Sequence, residues 1–226
     1  MRRTLIVVTP VVAGLLAACP SPEQERRALA ERRAGDVLAL YQSWDEALAA
    51  EVFSGDAVRR AHWDETIAWL RPRLGACGEP ELVDARCKGS EGRFRYLCEG
   101  GALEFEPWIR DGQVHGAKLA GRGIDAPDNV QRAAEAVVAA MPFDAADHAR
   151  WPAGDDFVGD YARGLGRCRI AAPDIVGKQG ALYYLECEGG QAHLKINVDP
   201  GDGAPSVLKL TRPASDRFRF GGPRGA

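Results

Sequence analysis

The sequence predicts an α+β protein built from two tandem copies of one unit, each with two helices followed by a four-stranded antiparallel sheet. The first observation is an internal repeat: three short blocks each occur twice, and the two copies of a block are 91, 89 and 91 residues apart. The second is a change of apolar spacing from a helical period to a period of two after each Leu-Gly-x-Cys block. The matching blocks are Leu74–Cys77 with Leu165–Cys168, Cys98–Gly101 with Cys187–Gly190, and Lys118–Leu119 with Lys209–Leu210.

Two helices are predicted at the start of the first copy. The segment 36–50 is rich in Ala and Leu, which favour helix. A second helix begins after Asp56, a good N-cap residue, and ends at Gly75, with Pro72 kinking its last turn. Its apolar residues recur on one helix face: Trp63, Ile67, Leu70 and Leu74.

Four strands are predicted after Cys77 in the first copy. Segments 81–88 and 93–99 flank a Gly-rich turn and form a hairpin. Segments 103–106 and 114–119 follow, separated by an Asp-Gly turn. Apolar and polar residues alternate in them, so the two helices are expected to cover the apolar face of the sheet.

The second copy is predicted to repeat this plan. Helices are expected at 129–141 and 155–165. The predicted strands are 169–176, 181–188, 192–198 and 206–211. Helices first and an antiparallel sheet second are typical of an α+β fold.

The N-terminal residues have the layout of a secretory signal. Arg2 and Arg3 precede an uncharged apolar stretch at 4–16 and two small residues. The stretch is shorter than the roughly 20 residues that a membrane-spanning helix needs.

The residues Leu16-Ala17-Ala18-Cys19 resemble the lipobox of bacterial lipoproteins. The resemblance implies cleavage before Cys19, a diacylglycerol on its thiol and acylation of its amine, so that the membrane becomes a partner through a lipid anchor. Several acyl chains give stable anchoring where one does not. Pro20 replaces the Asp that retains such lipoproteins in the inner membrane, which favours the outer membrane. The alternative is an ordinary cleaved signal with a chance cysteine at its end.

The element order and the Leu-Gly-x-Cys and Cys-Glu-Gly-Gly blocks resemble the cystatin-like superfamily, in particular its cone-shaped domains of the nuclear-transport-factor-two type. The implied organisation has a signal at 1–18, a tether at 19–33, repeats at 34–122 and 128–213, and a tail at 214–226. Catalytic roles of enzymatic members are not carried over, because no Asp–His or Asp–Arg dyad recurs in both copies.

Cysteine usage predicts one disulfide in each copy. An exported chain meets an oxidising compartment, where disulfides form. The repeat aligns Cys77 with Cys168 and Cys98 with Cys187, so we expect Cys77–Cys98 and Cys168–Cys187, with Cys87 as a free thiol. The rival pairing is Cys77–Cys87, which leaves Cys98 free.

No catalytic residue is nominated, because none of the common hydrolase, zinc-protease or nucleotide-binding motifs is present. No cofactor and no metal are expected. His148 and Asp144 could share a helix face, but two groups are too few for a site. The formal charge is −3, and −5 without residues 1–18, which argues against a nucleic-acid partner.

Four tryptophans of the first copy are candidates for an apolar pocket, although core packing is the alternative: Trp44, Trp63, Trp69 and Trp108. The function favoured by the sequence is a lipid-anchored, non-catalytic module that binds a protein partner or an apolar ligand. The alternatives are an enzyme with a pocket in one copy and a structural envelope protein.

Overall fold

The computed structural model describes residues 21–84, 92–142 and 164–211. The helices in these ranges are α1 (Pro22–Gln42), α2 (Glu46–Val52), α3 (Ala57–Leu74) and α4 (Asp128–Ala139). The strands are β1 (Cys77–Asp84), β2 (Arg93–Cys98), β3 (Gly101–Arg110), β4 (Gln113–Arg122), β5 (Cys168–Gly177), β6 (Gly180–Cys187), β7 (Gly190–Val198) and β8 (Pro205–Thr211).

All eight strands form one antiparallel sheet in the order of the chain. The overall class is α+β, but the prediction of two tandem helix-helix-four-strand units is wrong. β4 pairs with β5 at Gly121 and Val176, which joins the two four-stranded halves. Their apolar faces therefore form one surface, and a single core cluster contains residues of both halves, such as Phe105 and Leu194. Cone-shaped separate domains are accordingly not formed.

The first helical segment differs from its predicted bounds. In place of one helix at 36–50, α1 begins at Pro22 and α2 begins after Asp45, whose side chain accepts a hydrogen bond from the Leu48 amide at 2.7 Å. Ser21 and Gln24 form a capping box that starts α1 within the segment expected to be a tether. Capping by Ser21 and Asp45 sets where α1 and α2 begin, and the Ala- and Leu-rich composition of the segment does not indicate these starts.

α3 follows its prediction closely. Asp56 caps it by accepting a hydrogen bond from the Arg59 amide at 3.0 Å, and Gly75 ends it at φ 71°. Pro72 lies inside the last turn. Ile67, Leu70 and Leu74 are fully buried against the sheet. The predicted apolar face is thus the face that packs on the core.

Apolar and acidic side chains alternate along part of β3 and distinguish the two faces of the sheet. Leu103 and Phe105 are buried in the core, on the face that the helices cover. Glu104 and Glu106 point to the opposite face, because neighbouring side chains of a strand project to opposite sides. We call this second surface the open face.

The repeated blocks build the same local structure twice. The Gly100 amide donates to the Leu74 carbonyl at 2.8 Å, and the Gly189 amide donates to the Leu165 carbonyl at 2.8 Å. A Cβ on Gly100 would collide with the Arg73 carbonyl oxygen, and one on Gly189 with that of Gly164. Glycine is therefore required at both positions by the close approach of the backbone.

Both predicted disulfides are present. Cys77 is bonded to Cys98 and Cys168 to Cys187. Each bond joins directly opposed residues at the start of a strand pair, β1–β2 or β5–β6. The rival pairing of Cys77 with Cys87 is excluded, while Cys87 itself lies outside the described residues.

Candidate functional site at the junction of the two halves

The junction of the two halves is a short strand overlap. β4 and β5 pair at Gly121 and Val176, close to the C-terminal end of each strand. A tight turn fixes the register of a hairpin, but β4 and β5 are separated by a long connection that contains α4. Side-chain contacts therefore set their stagger, and among the described residues each strand extends past the other.

A cleft of about 630 Å³, the junction cleft, opens at one end of this overlap. It is lined by Ala117–Ala120 of β4, by the β5–β6 turn and by residues of α3. Four consecutive β4 residues line it, and consecutive side chains alternate between faces. The cleft therefore runs along the edge of β4 and not along one face of the sheet.

The inner wall of the junction cleft is apolar. Trp63 of α3 lies in this wall, with its ring stacked on that of Phe53 at a centroid distance of 4.9 Å and an interplanar angle of 8°. Leu119 and Ile175 line the cleft from the two strands that meet at the junction. This wall offers an aromatic and aliphatic surface to a ligand.

The rim of the junction cleft carries more positive than negative charge. Lys118, Lys178 and Lys195 line it together with one carboxylate, Asp199. Lys118 Nζ lies 3.2 Å from Glu106 Oε2 and 5.3 Å from the centroid of the Trp108 ring. An anionic ligand would therefore compete with Glu106 for Lys118, whereas Lys195 is exposed at the rim.

One ion pair closes the cleft across the junction. Lys178, in the β5–β6 turn, lies with Nζ 2.7 Å from Glu65 Oε2 on α3. The hydrogen bond from Lys178 lowers the pKa of the Glu65 carboxyl. Glu65 lies on α3, which precedes the strands of the first half, and Lys178 lies between two strands of the second half, so this contact links α3 to the second half of the sheet.

A network of charges lies beside the cleft on the open face. Glu104 Oε1 accepts hydrogen bonds from Arg95 at 2.8 and 3.1 Å and from Arg122 at 3.0 Å. Arg122 also forms an ion pair with Asp174 of β5. The side chains of Glu104 and Asp174 are each 7% exposed. These carboxylates are paired, as buried charges must be.

His193 and Tyr184 flank Asp174 at the end of the network. Burial lowers the pKa of His193, and the charge of Asp174 opposes this. Burial raises the pKa of Asp174, with Arg122 acting in the opposite direction. His193 meets the Tyr184 ring edge to face at 4.5 Å, and its buried Nε2 has no hydrogen-bond partner. An uncharged imidazole suits this position.

The four tryptophans do not form one pocket wall. Trp63 lines the junction cleft, but the other three have separate surroundings. The Trp44 indole donates to Glu46 at 3.3 Å, and the guanidinium of Arg73 lies 4.2 Å from the Trp69 ring centroid. Trp108 lies beneath Lys118. All four tryptophans are partly buried. For the three outside the junction cleft, this fits the alternative that they pack against the rest of the protein.

The remaining predicted residues have no described position. Cys19 with its lipobox, Cys87, Asp144 and His148 lie outside the described residues. Within 21–84, 92–142 and 164–211, no group of three His, Cys, Asp or Glu side chains could hold a metal ion. In the same ranges, no helix combines the length and the apolar character needed to cross a membrane.

Sequence reasoning missed the rim lysines and the Glu104–Arg122–Asp174 network. A signal for the network exists, because Glu104 alternates with apolar residues in β3 and Asp174 stands between apolar residues near the end of β5. The rim has no such signal, since its residues come from three distant segments.

Comparison with known proteins found no matching family model, no significantly similar curated protein and no significantly similar solved structure.

Proposed function

We propose that this protein is a lipid-anchored, non-catalytic binding module whose ligand is an apolar molecule with an anionic group. The junction cleft supports this proposal most directly. Its volume of about 630 Å³ lies within the range of small-molecule sites, roughly 300–1,000 Å³. An apolar wall with Trp63 stands beside three lysines, which matches an amphipathic anion.

The anchor in this proposal is the lipid on Cys19. The lipobox resemblance of Leu16–Cys19 supports it, and Pro20 favours the outer membrane. An anchored module of this kind would present its cleft to ligands in the envelope.

The ligand proposal is tested with two probes of the same apolar chain and opposite charge. A chain that begins at Ser21, the cap of α1, is titrated with dodecanoate and with dodecyltrimethylammonium below their micellar concentrations, and binding is measured by calorimetry. We expect dodecanoate to bind and the cation to bind much more weakly, because the rim has three lysines. Ala117→Trp should fill the cleft and abolish binding.

A matched pair of lysines provides the control. Lys195 and Lys209 are directly opposed on β7 and β8, and both are exposed. Lys195 lines the cleft. Lys195→Gln should weaken dodecanoate binding roughly fivefold, the effect of one exposed ion pair, while Lys209→Gln should not. Equal effects of the two changes, or no binding by the unchanged chain, would reject the proposed ligand class.

The anchor is tested separately in cells of a Gram-negative host. The unchanged chain should incorporate an alkyne-labelled fatty acid and fractionate with the outer membrane. Cys19→Ser should prevent both labelling and cleavage, because only the thiol can accept the diacylglycerol. A Cys19→Ser chain that is processed and membrane-bound like the original would contradict the anchor.

A further inference from the structure

A second opening, the β5 edge groove, lies at the other end of the β4–β5 overlap. β4 ends at Arg122, so the first part of β5 extends beyond it. The six consecutive residues 168–173 line a groove of about 760 Å³. A groove along a sheet face would touch alternate residues, since neighbouring side chains project to opposite faces. Lining by six consecutive residues means that the groove follows the strand edge.

The facing wall of the groove is one stripe of α4. Asp128, Gln131, Glu135 and Val138 line it at helical spacings of three and four residues. A helix rises about 1.5 Å per residue and a strand about 3.3 Å per residue, so the stripe spans roughly 15 Å and the β5 edge roughly 17 Å. The two walls thus run side by side over similar lengths.

The β5 side of this groove includes small, exposed residues. Ala171 and Ala172 are exposed, and their small side chains allow another chain to approach closely. On the other side β5 pairs with β6 from Cys168 opposite Cys187 to Gly177 opposite Gly180, with register shifts between Ile170 and Ala172 and between Pro173 and Ile175. Pro173 has no amide hydrogen, so an added strand would pair mainly with the residues before it. The disulfide between Cys168 and Cys187 holds the beginning of the edge in place. Such an edge is a template for an added strand.

The groove is acidic. Asp125, Asp128 and Glu135 line it, and Arg169, the cationic residue among its described lining residues, forms an ion pair with Glu186 of β6. Gln131 donates a hydrogen bond to Glu135 at 2.8 Å and so orients that carboxylate. The charge of the helix wall therefore complements basic side chains on an incoming strand.

We propose that the β5 edge groove binds an extended basic segment of a partner protein, which adds to the sheet as a strand beside residues 168–173 while its basic side chains meet the carboxylates of α4. The main-chain hydrogen bonds of such an added strand provide affinity, and the side chains provide specificity. This surface is separate from the junction cleft, so the two proposals are tested with different probes and different variants.

The test uses the full chain in neutral detergent and three labelled ten-residue peptides. One alternates Lys and Val, one alternates Glu and Val, and the third is the Lys peptide with alternate backbone nitrogens methylated. Binding is measured by fluorescence anisotropy. The Lys peptide should bind, and the other two should bind at least roughly tenfold more weakly, since one lacks the charge and the other the backbone donors. Amides of residues 168–173 should gain protection from hydrogen exchange.

Charge reversal on the helix wall identifies the site. Asp125→Lys combined with Glu135→Lys should lower the affinity for the Lys peptide roughly tenfold. Glu23→Lys, at an exposed acidic residue of α1, is the control and should leave binding unchanged. Equal binding of the methylated peptide would show charge attraction without strand addition and would overturn the proposal. Loss of binding in the control, or protection elsewhere than 168–173, would overturn it as well.

Discussion

The guanidinium of Arg122 and the carboxylate of Asp174 form an ion pair that joins the two halves of the sheet on the open face. Arg122 ends β4 and Asp174 lies in β5, two residues before the Val176 that pairs with Gly121. The same guanidinium also donates to Glu104 at 3.0 Å. The Arg122 guanidinium thus contacts two buried carboxylates beside the short β4–β5 overlap, and Arg95 is a second cation at Glu104.

Arg122→Met should destabilise the protein by about 3 kcal/mol, because it leaves buried carboxylates without one of their cations. The free energy of unfolding is measured by urea titration. Arg122→Met with Asp174→Leu should be less destabilised than Arg122→Met alone, since the uncompensated charge is then removed. Lys118→Met is the control: its side chain is 65% exposed, and breaking its ion pair with Glu106 should cost at most about 1 kcal/mol.

His193 should make the protein less stable as the pH falls below 6.5. Burial holds its pKa in the folded protein below the ordinary 6.5. Between the folded pKa and 6.5 the unfolded chain binds more protons, so the free energy of unfolding decreases with falling pH. Urea midpoints measured from about pH 8 to about pH 5.5 should show a smaller decrease in His193→Gln than in the unchanged chain. Parallel curves for the two chains would refute this role.

Asp174 should change the pH dependence of stability in the direction opposite to His193, and at lower pH. Burial raises its pKa above 3.8, so the folded protein binds the proton more readily than the unfolded chain. Its contribution to stability is fully present below 3.8 and is lost as the pH rises through the folded pKa. Asp174→Asn should abolish this component, and a difference curve against the unchanged chain measures it.

Gly100→Ala and Gly189→Ala should each destabilise the protein by about 1–3 kcal/mol, because the added Cβ meets a backbone oxygen in both copies of the repeated block. Gly35→Ala is the matched control. Gly35 lies inside α1 with no atom within 4 Å of an added Cβ, so this change should stabilise by roughly 0.5–1 kcal/mol. Thermal unfolding by circular dichroism distinguishes the two directions. Similar shifts in all three variants would contradict the assigned contacts.

Removal of either disulfide should cost about 3 kcal/mol, as expected for loops of this length. The two bonds close sequence separations of 21 and 19 residues, so Cys77→Ala with Cys98→Ala and Cys168→Ala with Cys187→Ala should have similar effects. Chemical denaturation of each double variant provides the measurement. A much larger effect of one pair would mean that its bond also maintains the packing around it.

Cys87 remains a prediction as a free thiol. With both disulfides formed and Cys19 lipidated, the denatured, non-reduced protein should contain one reactive thiol, and Cys87→Ser should remove it. Titration with a thiol reagent gives the count. Two thiols in the unchanged protein would show that Cys19 carries no lipid, and three would show that one disulfide is open.

Local signals in the sequence predicted much of the fold. Asp56 and Gly75 marked the ends of α3, and the aligned cysteines gave both disulfides. The break between α1 and α2 escaped prediction, because Asp45 acts as a cap inside a segment whose composition favours continuous helix. The junction cleft could not be predicted, because its lysines and Trp63 come from segments far apart in the chain.

By itself, the sequence determined the α+β class, the order of the strands within each half and the paired cysteines, because caps, turns and alternating residues act over a few neighbours. Only the tertiary structure decided that the halves share one sheet and one core. No tight turn fixes the register of β4 against β5, so packing and the Arg122–Asp174 pair settle it. Their stagger at Gly121 and Val176 produces both the junction cleft and the β5 edge groove, the two surfaces to which we assign ligands.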